Sequence, residues 1–202
     1  MDRMILAIRE NKQYLSDIDG AIGDGDHGIN MNKGFSMTRE ALEKDPGDLS
    51  HGLATLAKIL MMRIGGSMGP LYGKIFKTMG KSLAGHEQVD AGLFREALKG
   101  TRAGLSPLTP AKVGDKTLVD ALYPAIDAFD RAIDSGTGFS GALEAMKKAA
   151  EAGRDATEDM VAKLGRSSRL GERSRGVVDA GAASCALLLG IMADTIIELL
   201  ES

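Results

Sequence analysis

The segment Asp19-Gly-Ala-Ile-Gly-Asp24-Gly-Asp26-His27-Gly28 places three carboxylates within eight residues, separated by glycines and closed by a histidine. Glycine loses more backbone freedom on ordering than any other residue, so this density predicts a tight loop rather than a helix or strand. The side chains of such a loop point into one small volume, where three unpaired carboxylates repel and raise one another's pKa. A divalent cation removes that penalty. Every donor is an oxygen, so a hard ion such as Mg²⁺ fits better than zinc or copper, and Mg²⁺ takes its remaining oxygens from water and substrate phosphates. The spacing therefore points to a metal–phosphate site. The alternative is a solvent-exposed turn, since Asp and Gly are ordinary turn residues; the third aspartate and the adjacent histidine favour metal. A helix–loop–helix calcium site needs a Glu at its twelfth position. Counting from Asp17, Asp19 or Asp24 reaches Gly28, Asn30 or Phe35, so that pattern fails.

Four further stretches carry chemistry. Gly65-Gly66-Ser67-Met68-Gly69-Pro70 precedes a helical pattern, and a glycine-rich loop feeding a helix N-terminus offers N–H groups and a favourable dipole to an anion. It is not a Walker A motif, and no Gly-x-Gly-x-x-Gly follows a credible strand. Gly114-Asp115-Lys116-Thr117 opens another helix, with Asp115 as the expected N-cap. Gly165-Arg166-Ser-Ser-Arg169-Leu-Gly-Glu-Arg173-Ser-Arg175-Gly176 is a long basic loop. Arginine forks bind phosphate bidentately, whereas most charge runs are solvated surface loops; the lack of interleaved aromatics counts against RNA. Asp179-Ala180-Gly181 opens the last helix as an N-cap or a nucleotide contact. His27 either donates to a phosphate oxygen or caps the aspartate loop.

The elements that must position these residues read as helices. The chain has 202 residues, of which 44% are hydrophobic, 26% charged and only 4% aromatic. Ala, Leu and Met dominate the apolar set and strand-forming residues are sparse, so an all-α fold is expected. Periodic apolar faces span about 2–16, from after His27 to about 44, 49–64, the stretch after 65–69, 90–104, the stretch after 117 with Pro124 inside it, 139–163 and 180–200. Eight amphipathic helices with short connections imply one antiparallel up-and-down bundle or barrel, residues 1–202 forming a single domain. In such a fold alternate loops share an end, and those alternate loops are the chemically unusual ones. The net charge of −3 argues against nucleic acid as a partner for the whole surface. Cys185 stands alone in an apolar run, as a small core residue in a reducing compartment. The N-terminus lacks a signal-peptide pattern. The apolar run Ala180 to Ala193 falls short of the ~20 residues a membrane span needs. A cytoplasmic location without membrane contact is therefore expected.

Taken together, Asp19-x₄-Asp24-x-Asp26-His27-Gly28-x-Asn30-Met31-Asn32-x-Gly34-Phe35, Gly65-Gly66-Ser67-x-Gly69-Pro70-Leu71-Tyr72-Gly73, Gly114-Asp115-Lys116-Thr117 and Leu170-Gly171-Glu172-Arg173-Ser174 resemble the nucleotide-binding subunits and domains of dihydroxyacetone kinases, the DhaL or DAK2 family. The resemblance covers nearly the whole chain. It implies an eight-helix antiparallel barrel with the nucleotide at one end. Asp19, Asp24 and Asp26 would hold two Mg²⁺ ions bridging the phosphates of ADP or ATP. His27, Gly28, Ile29 and Asn30 match the phosphate-contacting helix start, and Ser67 and Met68 the glycine-loop contact. Thr109 and Leu118 match the lining of the nucleotide pocket, and Arg166, Asp179, Ala180 and Gly181 the final contacts. The chain departs from the family in having Ala180 where Asp-Pro-Gly is common, Arg169 where an aromatic is common, and a short first segment.

The resemblance further implies phosphoryl transfer to dihydroxyacetone held by a partner DhaK-type subunit. The nucleotide would be recharged from phosphoenolpyruvate through a DhaM-type phosphotransferase protein, or replaced by free ATP. Its alternatives are a kinase subunit for another short ketose and a non-catalytic regulatory module on the same scaffold. Without the resemblance, a metal-dependent helical hydrolase also fits the acidic site.

Overall fold

The computed structural model describes residues 1–202. The chain forms nine α-helices and two 3₁₀ helices and no strand. The α-helices are α1 (Asp2–Glu10), α2 (Lys12–Ile22), α3 (His27–Lys44), α4 (Leu49–Arg63), α5 (Met68–Leu83), α6 (Ala91–Leu105), α7 (Val119–Asp134), α8 (Gly138–Ala156) and α9 (Ala180–Glu201). The 3₁₀ helices are η1 (Thr157–Asp159) and η2 (Ser167–Ser174).

The all-α expectation holds, with two corrections: the stretch read as helical over 139–163 is α-helix only to Ala156, giving way to η1 and irregular residues, and the N-terminal reading also changes. The periodic stretch over 2–16 is two helices separated at Asn11, and the second continues through Asp19 and Gly20 to Ile22. Helix therefore extends into what composition alone assigns to a loop. Leu15 and Ile22, two turns apart on one face, are both buried, and that packing outweighs the weak helix propensity of Gly20. Only Gly23–Asp26 remains irregular.

The chain divides into two compact units. The first comprises Met1–Arg9 and Asn30–Pro110. In it α4 packs on α5 and α5 on α6. The approach of α5 to α4 depends on missing side chains: a Cβ at Gly69 would lie 2.3 Å from the Ile64 carbonyl oxygen, and one at Gly73 2.3 Å from the Met61 side chain. Apolar burial here centres on Phe35, Tyr72 and Phe76. Phe35 meets Phe76 edge-on at 6.1 Å and Tyr72 stacks on Phe76 at 6.2 Å, both favoured ring geometries.

The second unit comprises Glu10–Ile29 and Ala111–Ser202. Here α7 packs on α8, α8 on α9, and α9 also on α7 and α2. Phe129, Leu122, Leu143, Met146, Leu188 and Leu189 lie in its core, and Phe129 meets Phe139 edge-on at 6.1 Å. With 22 residues, α9 is long and apolar enough to cross a bilayer by length and composition, longer than the run read from sequence. Its first fourteen residues supply all its buried positions, Ala180 to Ala193, so its apolarity serves the core of this unit. Pro124 falls within α7, at its sixth position.

Candidate functional site

The aspartate segment begins on the last turn of α2, which carries Asp19, and crosses four irregular residues bearing Asp24 and Asp26 before α3 starts at His27. One carboxylate oxygen from each aspartate lies within 4.8 Å of the others. Asp19 is half-buried, and Asp24 and Asp26 are exposed. Asp19 also holds the geometry of the turn, because its Oδ2 accepts the His27 backbone N–H at 3.2 Å. That N–H is one of the donors a helix start leaves without an internal partner, and a carboxylate there is favoured by the dipole as well. Gly28 lets α3 start so close to α2: a Cβ on it would lie 2.0 Å from the Lys12 carbonyl oxygen and 2.8 Å from the Ser16 nitrogen.

The His27 ring is tied elsewhere. Its Nε2 lies 2.8 Å from Ser184 Oγ on α9, and the Ser184 hydroxyl donates to the Ala180 carbonyl at 3.0 Å. With the serine proton so used, Nε2–H is the donor to Ser184. Burial pulls the His27 pKa from 6.5 to about 4, against the opposing attraction of Asp19. The imidazole is therefore neutral near pH 7.

At the start of α9 Asp179 is the N-cap, as expected, accepting the Ala182 N–H at 2.8 Å. Burial raises its pKa from 3.8 to about 7; the Ala182 N–H opposes this, Asp120 and Asp19 add to it, and Lys116 opposes it. Leu118 is buried, and its nitrogen would lie 3.3 Å from a Cβ on Gly181. The expected N-cap role of Asp115 does not hold. Helix α7 begins only at Val119, and Asp115 instead accepts the Lys112 N–H and pairs with Lys163 at 3.1 Å. The residue that closes this turn is Asp120, which is fully buried and accepts the Gly114 and Thr117 N–H groups. In sequence Asp120 looks like one more acidic residue of a helical first turn, so only its burial reveals it. Ser184 was likewise hidden in an apolar run.

The basic loop is largely 3₁₀, and Arg166, just before η2, pairs through Nη1 with Asp24 Oδ2. Residues from three distant stretches of the second unit are thus brought together: Asp19, Asp24, Asp26, His27 and Gly28; Leu118; and Arg166 with Asp179, Ala180 and Gly181. Ile29, also in this unit, is exposed. Asn30, Ser67, Met68 and Thr109 belong to the first unit. Ser67 is exposed immediately before α5, Met68 is buried as its first residue, and the Thr109 N–H bonds to the Leu105 carbonyl.

Three oxygen donors at this spacing suit a hard cation, and the exposed sides of Asp24 and Asp26 leave room for water or phosphate to complete the shell. A guanidinium beside them suits an anion.

Known proteins resemble this chain in sequence and in fold. Residues 21–194 match the DAK2 domain. The chain is 38% identical over 189 residues to a protein of Listeria innocua named "PEP-dependent dihydroxyacetone kinase 1, ADP-binding subunit DhaL", covering 93% of this chain and 89% of that one. It is 39% identical over 194 residues to a Lactococcus lactis protein named "PTS-dependent dihydroxyacetone kinase, ADP-binding subunit DhaL", covering 94% and 91%. Among solved structures, the dihydroxyacetone kinase of C. freundii in complex with AMP-PNP and Mg²⁺ has the same fold, with a TM-score of 0.68 at 22% identity; the match covers 96% of this chain and 32% of that one. With that domain matched along most of its length and such relatives aligned nearly end to end, the chain belongs to the DAK2 domain family, among its DhaL-type subunits.

Proposed function

We propose that this chain is the nucleotide-binding subunit of a dihydroxyacetone kinase. Asp19, Asp24 and Asp26 would hold two Mg²⁺ ions and, through them, the polyphosphate of ADP or ATP. The observation that carries this reading is the convergence of three carboxylates within 4.8 Å with an arginine at their edge and a helix N-terminus beneath them. The names of the DhaL relatives support the choice of nucleotide, and the Mg²⁺ and AMP-PNP of the C. freundii complex support the choice of metal.

Phosphoryl transfer requires positioning and charge stabilisation rather than a protein nucleophile. Bound Mg²⁺ supplies neutralisation of charge on the phosphate oxygens. The protein's own groups do the rest. The α3 N-terminus with Gly28, Ile29 and Asn30 presents N–H groups to a phosphate, and Arg166 offers two parallel donors. His27, neutral and donating to Ser184, orients the turn and places no second cation beside the metal. Leu118, beside Gly181, and Ala180 at the α9 start would line the base or ribose; Asp179 caps that helix. For Ser67, Met68 and Thr109 the family resemblance alone implies nucleotide contacts.

No residue of the chain stands out for holding a ketone, so dihydroxyacetone would sit on a DhaK-type partner. The names of the relatives, PEP- or PTS-dependent and ADP-binding, favour ADP as a coenzyme recharged from phosphoenolpyruvate; a DhaM-type protein as the carrier and a cytoplasmic assembly belong to the same proposal. Calorimetric titration with Mg-ADP tests the site: the parent binds, and Asp24→Asn combined with Asp26→Asn loses at least 100-fold in affinity, or about 3 kcal/mol. Equal binding by the double variant would overturn the assignment. Reconstitution with DhaK- and DhaM-type subunits and phosphoenolpyruvate tests the donor: transfer to dihydroxyacetone without added ATP is expected, and transfer only with free ATP would replace the coenzyme reading.

A further inference from the structure

Lys116 is 1% exposed, and lysine is among the residues least often fully buried. It is also the one residue other than glycine with positive φ, at 63°, a left-handed conformation costly for a side chain with a Cβ. Such strain persists only where the surroundings hold it in place. Here the holding contacts are visible. The Lys116 ammonium donates to the carbonyls of Ser174 and Val177, both at 2.6 Å, and of Met160 at 3.2 Å. Its three N–H donors have three acceptors, and each acceptor is backbone.

The position of those carbonyls gives the arrangement its meaning. Met160 lies where the chain leaves η1 towards Arg166, and Ser174 and Val177 lie where it returns towards Asp179. One ammonium therefore closes the two ends of the segment carrying Arg166. Other bonds stiffen the same segment: Ser174 Oγ accepts the Ala162 N–H at 2.9 Å and donates to the Gly171 carbonyl at 2.7 Å, and the Gly176 N–H bonds to the Glu158 carbonyl at 2.8 Å. On its other side Lys116 is followed by Thr117, anchored to buried Asp120 at 2.7 Å, and by Leu118 beside Gly181. The hydrogen bonds of this buried charge all go to neutral carbonyls. Asp179, Glu158 and Asp159 attract it, but burial outweighs them and lowers its pKa, so it is an expensive fastener where a neutral side chain could close a purely structural loop.

We propose that Lys116 is a positioning residue: it clasps the 160–177 segment so that Arg166 stands beside the aspartate cluster, where a polyphosphate would meet it. This rests on the reading of that cluster as the nucleotide site. The Lys116 ammonium touches no phosphate itself; it acts through Arg166.

Mg-ADP affinity is measured by calorimetry for the parent, Lys116→Met, Arg166→Ala and the double variant, with backbone amide exchange followed in the nucleotide-free proteins. Lys116→Met should weaken binding about 10-fold or more and should speed exchange at Ala162 and Gly176. The double variant should bind no worse than Arg166→Ala within about twofold, because a clasp without its arginine has nothing left to position. Additive losses in the double variant, or unchanged affinity in Lys116→Met despite faster exchange, would overturn the clasp and leave Lys116 a structural residue. Lys116→Gly serves the same comparison if the Met variant fails to fold, since glycine relaxes the left-handed backbone. A parent that does not bind Mg-ADP overturns the site reading itself, whatever exchange shows at the loop.

Discussion

Replacing Asp179 by Asn separates the ionisation of a half-buried acid from the helix it caps. Asn caps as well as Asp, so the hydrogen bond to Ala182 N–H survives while the ionisation is removed. The parent carboxyl has its pKa raised from 3.8 to about 7, burial being the largest cause. Below pH 3.8 both the folded and the unfolded chain bind this proton. Between 3.8 and about 7 only the folded chain does, so this group's contribution to stability falls as pH rises. Above pH 7 the loss is complete, and a rise of that size corresponds to at most about 4 kcal/mol. An amide at this position carries no such loss, so the Asp179→Asn variant should match the parent near pH 4 and exceed its stability by up to about 4 kcal/mol at pH 8.

His27 sharpens the test because its slope has the opposite sign. Its folded pKa is lowered from 6.5 to about 4, so between those values only the unfolded chain holds the proton and stability is lost as pH falls. Over pH 4 to 6.5 the two slopes cancel in the parent, whose folded state keeps one proton on Asp179 while its unfolded state keeps one on His27. Asp179→Asn uncovers the histidine slope, about 1.4 kcal/mol per pH unit. Urea denaturation followed by circular dichroism, in chelator, at half-unit steps from pH 4 to 8, reads both effects. The parent profile should be flat to pH 6.5 and that of the variant should climb. Parallel profiles would refute the reasoning, because they would mean that Asp179 ionises in the folded protein as freely as in the unfolded chain.

Gly28→Ala should cost roughly 2–4 kcal/mol in thermal or urea unfolding, since its Cβ would fall 2.0 Å from the Lys12 carbonyl oxygen and backbone must move to admit it. Lys147→Met should change stability by less than about 1 kcal/mol, although Lys147 and Asp194 lie 2.7 Å apart, because both side chains are about a third or more exposed. Cys185 is buried, with its thiol pushed up to about 12 by burial first and Asp179 second; a disulfide reagent at pH 8 should label it only as fast as the chain unfolds. Arg166→Ala should tighten Mn²⁺ binding in the absence of nucleotide, by removing a cation that competes for Asp24, yet weaken binding of Mg-ADP. Loss of both would assign Arg166 to folding instead.

Much of this molecule was legible in its sequence, for reasons that differ by residue. The helices were, because apolar spacing at 3.6 residues is imposed by burial on one face and survives in the letters. Leu122, Ile126 and Phe129 on α7 are one such face, and all three are buried. The metal candidates were legible because carboxylates so close in sequence stay close in space. What escaped was set by tertiary contact. The continuation of α2 through Gly20 depends on Ile22 finding a buried place. The capping of the Gly114 turn by Asp120 rather than Asp115 depends on where α7 starts, a boundary that local preference leaves loose. The pairing of Ser184 with His27 spans 157 residues, and nothing in an alanine-rich run marks one serine as its partner.

The charges of the second unit also bear on how a polyphosphate and a metal ion would bind together. Near the turn stand three carboxylates and one guanidinium, already paired with Asp24. His27 contributes no positive charge near pH 7, since burial holds its pKa near 4. The Lys116 ammonium is turned onto three backbone carbonyls. A free polyphosphate therefore meets an acidic face with its one adjacent arginine engaged, and repulsion disfavours it. On the proposed reading a divalent cation would reverse that balance, because Asp24 would gain a stronger partner and Arg166 would be freed for a phosphate oxygen. Exchange of partners at Asp24 would thus make nucleotide and metal binding mutually dependent, and linkage would require the dependence to be equal in both directions.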